Sequence, residues 1–324
     1  MEKQLNILII GLGVIGTTYG YIFSKAGHNV EYYIRKTSKN YNINKLNVEL
    51  LDGRFKSKGQ QSQDTYTINK ASQKEYDFIF VAIPSGNIES VNEVLNNEKI
   101  TGTIILACGI WEKHDYVNNL MAKKDYILGY PVAGGNIDNN TLNCCVFDHF
   151  MLESKDKSHI NNYDDLLQLF SSCSIKLEHP YDMLEWIWLH MAINAGVVSV
   201  AGKYGDINNV SESAENLMNS TKKLSEAVKS IRETSKIVES RGVILKRYNN
   251  ELIAYKLPTI ISSPIMKRMF ATNILTRKIM TLHSNLQDLF FVCRCVYEEG
   301  KKNNVSAPIF YENYEKLQTH FNED

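Results

Sequence analysis

Three glycines near the amino terminus have the spacing for phosphate chemistry: Gly11-Leu12-Gly13-Val14-Ile15-Gly16. In a G-x-G-x-x-G turn between a strand and a helix, the first glycine permits the tight turn. The second lets the backbone approach a pyrophosphate, and the third lets helix and strand pack closely. The phosphate then sits on the helix amino terminus, before the unpaired N–H groups of residues such as Val14 and Ile15. Further along, Ile34-Arg35-Lys36, with Ser38 and Lys39 close behind, stands where an NAD site carries an Asp or Glu for the ribose 2′-hydroxyl. A cationic pair suits a 2′-phosphate instead, so NADP (NADPH) is the expected cofactor. Glu31 is acidic but lies within the strand, a poor place for a ribose ligand.

A second set of residues has acid–base potential. Trp186, His190 and Asn194 are spaced four apart within the apolar helical pattern Met183–Val200, so they share one helix face. Two readings stand. One is a core helix whose His and Asn bond to nearby backbone. The other is a face turned to a substrate, with His190 moving a proton and Asn194 orienting the reacting group.

The elements that must position these residues follow from pattern. Leu5–Ile10 is a continuous apolar, β-branched run, the mark of a strand buried on both faces. A helical pattern runs from the glycine turn to Ala26 and stops at Gly27, and Asn29–Ile34 reads as a second strand. Tyr76–Ile83 is a further buried strand, and Pro84-Ser85 at its exit is expected to border the cofactor. Helix Ile88–Leu95, strand Thr103–Ala107 ending at Cys108, and strand Ile127–Gly129 follow, with Tyr130–Gly135 expected as a loop on the site's side. Helix Asp164–Phe170 and strand Ile175–Leu177 close an alternating pattern that predicts an α/β, Rossmann-type, mostly parallel doubly wound sheet over residues 1–180. Residues 181–324 have few strand signals. The long helix Met183–Val200, one charged helix over Ser213–Arg241 closed by Gly242, and one or two helices within Thr272–Lys302 predict an all-α domain.

Composition narrows the class. Lys plus Arg is 36 and Asp plus Glu is 36 in 324 residues, so there is no broad positive field to attract nucleic acid. A hydrophobic fraction of 44% is too high for a disordered chain. The stretch Gln4–Ser24 is uncharged, yet Gly11, Gly13, Gly16 and Gly20 break it, so strand, turn and helix explain it better than a membrane segment. The six cysteines form no C-x-x-C pair and no zinc-finger spacing, so no metal site is expected, and free thiols in a reducing cytoplasm are.

Taken in order, these segments resemble the ketopantoate reductase (2-dehydropantoate 2-reductase) family over nearly the whole length. The opening ILIIGLGVIGTTYGYIFSKAGHNVEYYIR is similar to the family's usual start, with Arg35 at its basic strand end. YDFIFVAIPSGNIESV and TIILACGI follow, then EWIWLHMAINAGVVSVAGKYGD, which looks like the family's W-x-K-L-x-x-N-x-x-x-N segment. HSNLQDL resembles the later S-M-L-Q-D-I run, and GKKNNVSAP the closing G-x-x-x-G-v-x-x-P. The resemblance implies a 6-phosphogluconate-dehydrogenase-like helical domain for substrate and dimerisation.

The departures from the family pattern fall on its chemistry. The family's catalytic Lys position holds Trp186, the first Asn of N-x-x-x-N is His190, the strand-end Lys is Pro84, and the Asn of Asn-Gly is Cys108. No acidic residue replaces the family's Glu within Leu289–Tyr297, whereas Asn194, Ser284 and Asp288 keep matching positions. His190 would substitute for the Lys as acid in its imidazolium form. Trp186, Cys108, Ser284 and Asp288 would contact a substrate other than ketopantoate. The expected function is reduction of a C=O or C=N bond in a small organic acid or related metabolite. The alternative is an NADPH-binding protein without catalysis. Expected partners are a small-molecule substrate and a second copy held through the helical domain, with neither nucleic acid nor membrane.

Overall fold

The computed structural model describes residues 3–38, 40–282 and 285–322. The chain forms two compact units, Met1–Leu184 and Glu185–Asp324.

The first unit begins with β1 (Asn6–Ile10), α1 (Val14–Lys25) and β2 (Asn29–Tyr33). An antiparallel hairpin of β3 (Lys45–Asp52) and β4 (Gln60–Thr67) follows, then β5 (Glu75–Val81), α2 (Ile88–Glu98), β6 (Thr101–Ala107) and α3 (His114–Met121). The unit ends with β7 (Tyr126–Asp138), β8 (Thr141–Leu152), α4 (Tyr163–Ser172) and β9 (Lys176–Glu178). The sheet order is β2-β1-β5-β6-β7-β8-β3-β4, with β9 on β8. From β2 to β7 every pairing is parallel, which puts the carboxyl ends of β1, β5 and β6 along one edge. Helices cover these strands, so Ile7, Ile9, Phe78, Phe80 and Ile105 are fully buried and the runs read apolar throughout. Tyr19 of α1 stacks on Phe80 at 5.2 Å between centroids, and Phe150 of β8 meets Phe170 of α4 at 4.7 Å, locking helices to sheet.

One element was not expected, and two expectations for this unit need correction. The hairpin of β3 and β4 has no apolar run to announce it, because the edge strand β4 (QQSQDTYT) buries little beyond Tyr66. Tyr130–Gly135 is not a loop but lies inside β7, with Tyr130 opposite Met151 and Gly135 opposite Cys144. A side chain at Gly135 would run into the Asn143 carbonyl and into Val14 Cγ2 at 2.9 Å. Here glycine marks a close approach of chains, not a turn. Pro131 is tolerated because the ladder slips register between Pro131 and Ala133. The strand expected to reach Ile83 ends at Val81.

The second unit is helical. It comprises most of α5 (Met183–Tyr204), then α6 (Val210–Met218), α7 (Thr221–Glu239) and a 3₁₀ turn at Leu245–Tyr248. After these come α8 (Asn249–Lys256), α9 (Thr259–Thr272), α10 (Ile274–Leu282), α11 (Leu286–Lys302) and α12 (Pro308–Asn322). The single helix expected over Ser213–Arg241 is two, because the Ser220 side chain accepts the Lys223 N–H at 3.3 Å and starts a new helix. Helix α5 crosses α7 where Gly196 faces Ile231; a Cβ there would lie 2.8 Å from the Ile231 nitrogen. Among the described residues, α5 alone is long and apolar enough to cross a membrane, and 67% of that stretch is buried within the protein.

Candidate dinucleotide-binding site

The glycine turn leaves the carboxyl end of β1 and enters α1. Gly11 has φ +90° and donates its N–H to the Tyr33 carbonyl at 3.2 Å, tying the turn to the end of β2. Only glycine adopts that backbone without strain. A Cβ on Gly16 would lie 2.8 Å from Ile9 Cγ2 and 3.3 Å from the Gly11 carbonyl, so this glycine is needed for packing α1 on β1. Gly13 differs: a Cβ there would find no protein atom nearer than the Ala82 carbonyl, at 4.0 Å. Gly13 is the N-cap of α1, with extended backbone and no side-chain hydrogen bond to the first turn. Gly13 thus supplies no side chain to cap the N–H groups at the start of α1, and the helix dipole favours an anion there.

The same edge collects the other expected residues of this unit. Ala82, whose carbonyl flanks Gly11 and Gly13, leads into Pro84 and the buried Ser85. Asn87 holds that turn by donating from its side chain to the Pro84 and Ser85 carbonyls, at 3.3 and 3.1 Å. Cys108 follows β6, whose Leu106 pairs with Val81, and is buried. All six cysteines are free thiols.

Arg35 and Lys36 stand exposed just past β2, and neither side chain is drawn into a hydrogen bond or ion pair among the described residues. Glu31 is occupied elsewhere, accepting from Ser72 N at 2.8 Å, Ser72 Oγ at 2.5 Å and Tyr76 Oη at 2.6 Å. Burial pushes its carboxyl up, but these hydrogen bonds outweigh that and hold it below its usual range. One residue was not singled out from sequence. Asn40 donates its side-chain N–H to the Leu12 carbonyl at 3.1 Å, fastening the basic turn to the glycine turn. A lone Asn in a polar turn gives no pattern to find it by. Lys39 lies outside the described residues.

In the second unit, Trp186 is buried and donates its indole N–H to Glu251 at 3.0 Å. His190 stacks on Trp186 at 5.0 Å, with the rings 13° apart. Neither Glu251 nor this stack was anticipated. Burial pushes the His190 pKa down to about 4, so the ring is neutral at pH 7 and the imidazolium expected from sequence is not its resting form. Asn194 is half-buried one turn on. Ala192 and Gly196, which meet α7 through Thr234 and Ile231, lie on the opposite side of α5 by helix geometry. The His190–Asn194 face is thus turned away from α7. Helix α11 runs beside α5, with Cys293 Sγ 3.8 Å from the Ala195 carbonyl. Asp288 lies in its first turn and donates its N–H to the Asn285 cap at 3.2 Å. Ser284 lies outside the described residues.

A glycine turn at the carboxyl edge of a parallel sheet, feeding a helix amino terminus left open, defines a Rossmann-type dinucleotide-binding fold, here followed by a helical unit. Residues 7–118, which lie within the first unit, match the family described as ketopantoate reductase PanE/ApbA. The dimeric ketopantoate reductase from Staphylococcus aureus is similar over 97% of this chain and 98% of its own, at 11% identity and a TM-score of 0.60. NADP+-bound yersinopine dehydrogenase covers 100% of this chain and 92% of its own, at 12% identity and 0.67. D-mandelate dehydrogenase, in a ternary structure with NADH and anilino(oxo)acetate, covers 98% of both, at 11% and 0.64. At these identities the likeness is one of fold. No curated protein matches the chain by sequence.

Proposed function

We propose that this chain is an NADPH-dependent reductase of a C=O or C=N bond in a small organic acid or related metabolite, working in the cytoplasm as a homodimer. The observation that carries the cofactor assignment is the open amino terminus of α1 at Gly13, with the exposed Arg35 and Lys36 just past the end of β2. NADPH supplies the hydride when bound. The first-turn N–H groups of Val14 and Ile15 hold its pyrophosphate, Arg35 and Lys36 its 2′-phosphate, and Pro84-Ser85 borders it. NADP+-bound yersinopine dehydrogenase supports the choice of cofactor.

The face of α5 serves the substrate. A neutral His190 donates a hydrogen bond to the oxygen or nitrogen that gains charge, and a substrate carboxylate beside it raises its proton affinity toward that of a proton donor. Asn194, Asp288 and Ser284 orient the substrate, and Cys108 and Trp186 contact it. Trp186 in place of a cationic side chain favours a substrate with an aromatic or cationic part over ketopantoate.

The test is NADPH oxidation against 2-keto acids, 2-keto acid plus amine mixtures and cyclic imines. At least one class is turned over, and His190→Ala lowers kcat by about 10²-fold on it. NADPH binding without turnover on any class would support the non-catalytic alternative instead.

A further inference from the structure

Helix α9 has two unlike faces. Ser262, Ser263 and Phe270 are buried, with Phe270 packed among Val200, Leu224 and Ala227. The outer face carries Ile260, 82% exposed, with Ile261, Ile265 and Met269, and the neighbouring α8 adds Ile253, 65% exposed, and Leu257 beyond its end. Single exposed aliphatic residues need no explanation; six between Ile253 and Met269 do. We infer that this face is the contact between two copies of the chain, arranged about a two-fold axis passing near Ile260 and Ile261. The inference rests on the homodimer reading above and specifies its surface.

Two observations select a second copy as the occupant, and a third fixes how the copies must be arranged. The first is area. A standard interface covers about 800 Å² per partner, roughly 65% apolar in homodimers, and so needs about 500 Å² of apolar surface. The six exposed side chains supply roughly 600 Å², by the same measure of accessible area. The second is composition. All six are aliphatic, like a protein core cut in two, whereas membrane-surface segments place Trp and Tyr at the interface. The third is charge. The exposed charged residues between Ile253 and Met269 are Lys256, Lys267 and Arg268, all basic, so a self-contact must keep like charges of the two copies apart. With the axis at Ile260–Ile261 and α9 antiparallel to its mate, a rise of about 1.5 Å per residue puts each Lys267 about 10 Å from the axis. The two copies' Lys267 side chains are then about 20 Å apart, beyond the ~8 Å screening length.

Sedimentation velocity on the full chain at micromolar concentration tests the inference. The wild type sediments as a dimer, and Ile260→Asp combined with Ile265→Asp, both at exposed positions, weakens dimerisation at least 100-fold while NADPH binding persists. In a separate variant, Ile260→Cys forms an intermolecular disulfide under mild oxidation, visible as a doubled mass on a non-reducing gel. A double variant that remains dimeric, with no crosslink at position 260, overturns this surface but leaves the homodimer standing. A monomeric wild type overturns both. A monomer that pellets with phosphatidylcholine–phosphatidylserine vesicles would reassign the face to a membrane.

Discussion

His190 shows how one side chain's surroundings redefine its chemistry. Its folded pKa of about 4 lies below the unperturbed His value because burial disfavours the charged ring. The unfolded chain therefore binds a proton near pH 6.5 that the folded chain refuses until about pH 4. The stabilising contribution is complete above pH 6.5 and is lost as pH falls toward 4. Urea unfolding at pH 7 and pH 5 will show the wild type losing on the order of 1–2 kcal/mol more stability than His190→Gln over that interval. Equal losses would mean that the ring is protonated in the fold. Periodicity was enough to find His190 and Asn194 on one face of α5. It did not find Asn40 or Glu251, because a single polar contact across the fold leaves no repeat or motif in the chain.

At the scale of elements, the legible parts were those whose burial is two-sided or periodic: β1, α1, β2, β5, β6 and α5. The hairpin of β3 and β4 escaped because edge strands are polar, and Gly134-Gly135 misled because glycine serves both turns and close strand contacts. The glycine turn separates folding from function in a testable way. Gly16→Ala forces α1 away from Ile9 and will cost about 1–3 kcal/mol in chemical denaturation. Gly13→Ala brings its Cβ no nearer than 4.0 Å to the Ala82 carbonyl, so it will leave stability within about 0.5 kcal/mol of wild type while weakening NADPH binding at least tenfold. If Gly13→Ala binds NADPH normally, the open end of α1 is not the pyrophosphate site.

For the whole molecule, a formal net charge of +0 excludes a broad polyanion-binding surface without excluding a local one. Arg35 and Lys36 concentrate positive charge at one strand end, and their exposure is what makes them available to a phosphate. The most direct measurement is calorimetric binding of NADPH and NADH to the wild type and to the Arg35→Ala, Lys36→Ala double variant. The account predicts that NADPH binds the wild type at least tenfold more tightly than NADH, about 1.4 kcal/mol, and that the double variant loses this preference while its NADH affinity holds. Equal or tighter binding of NADH by the wild type, or a preference untouched by the two substitutions, would contradict it.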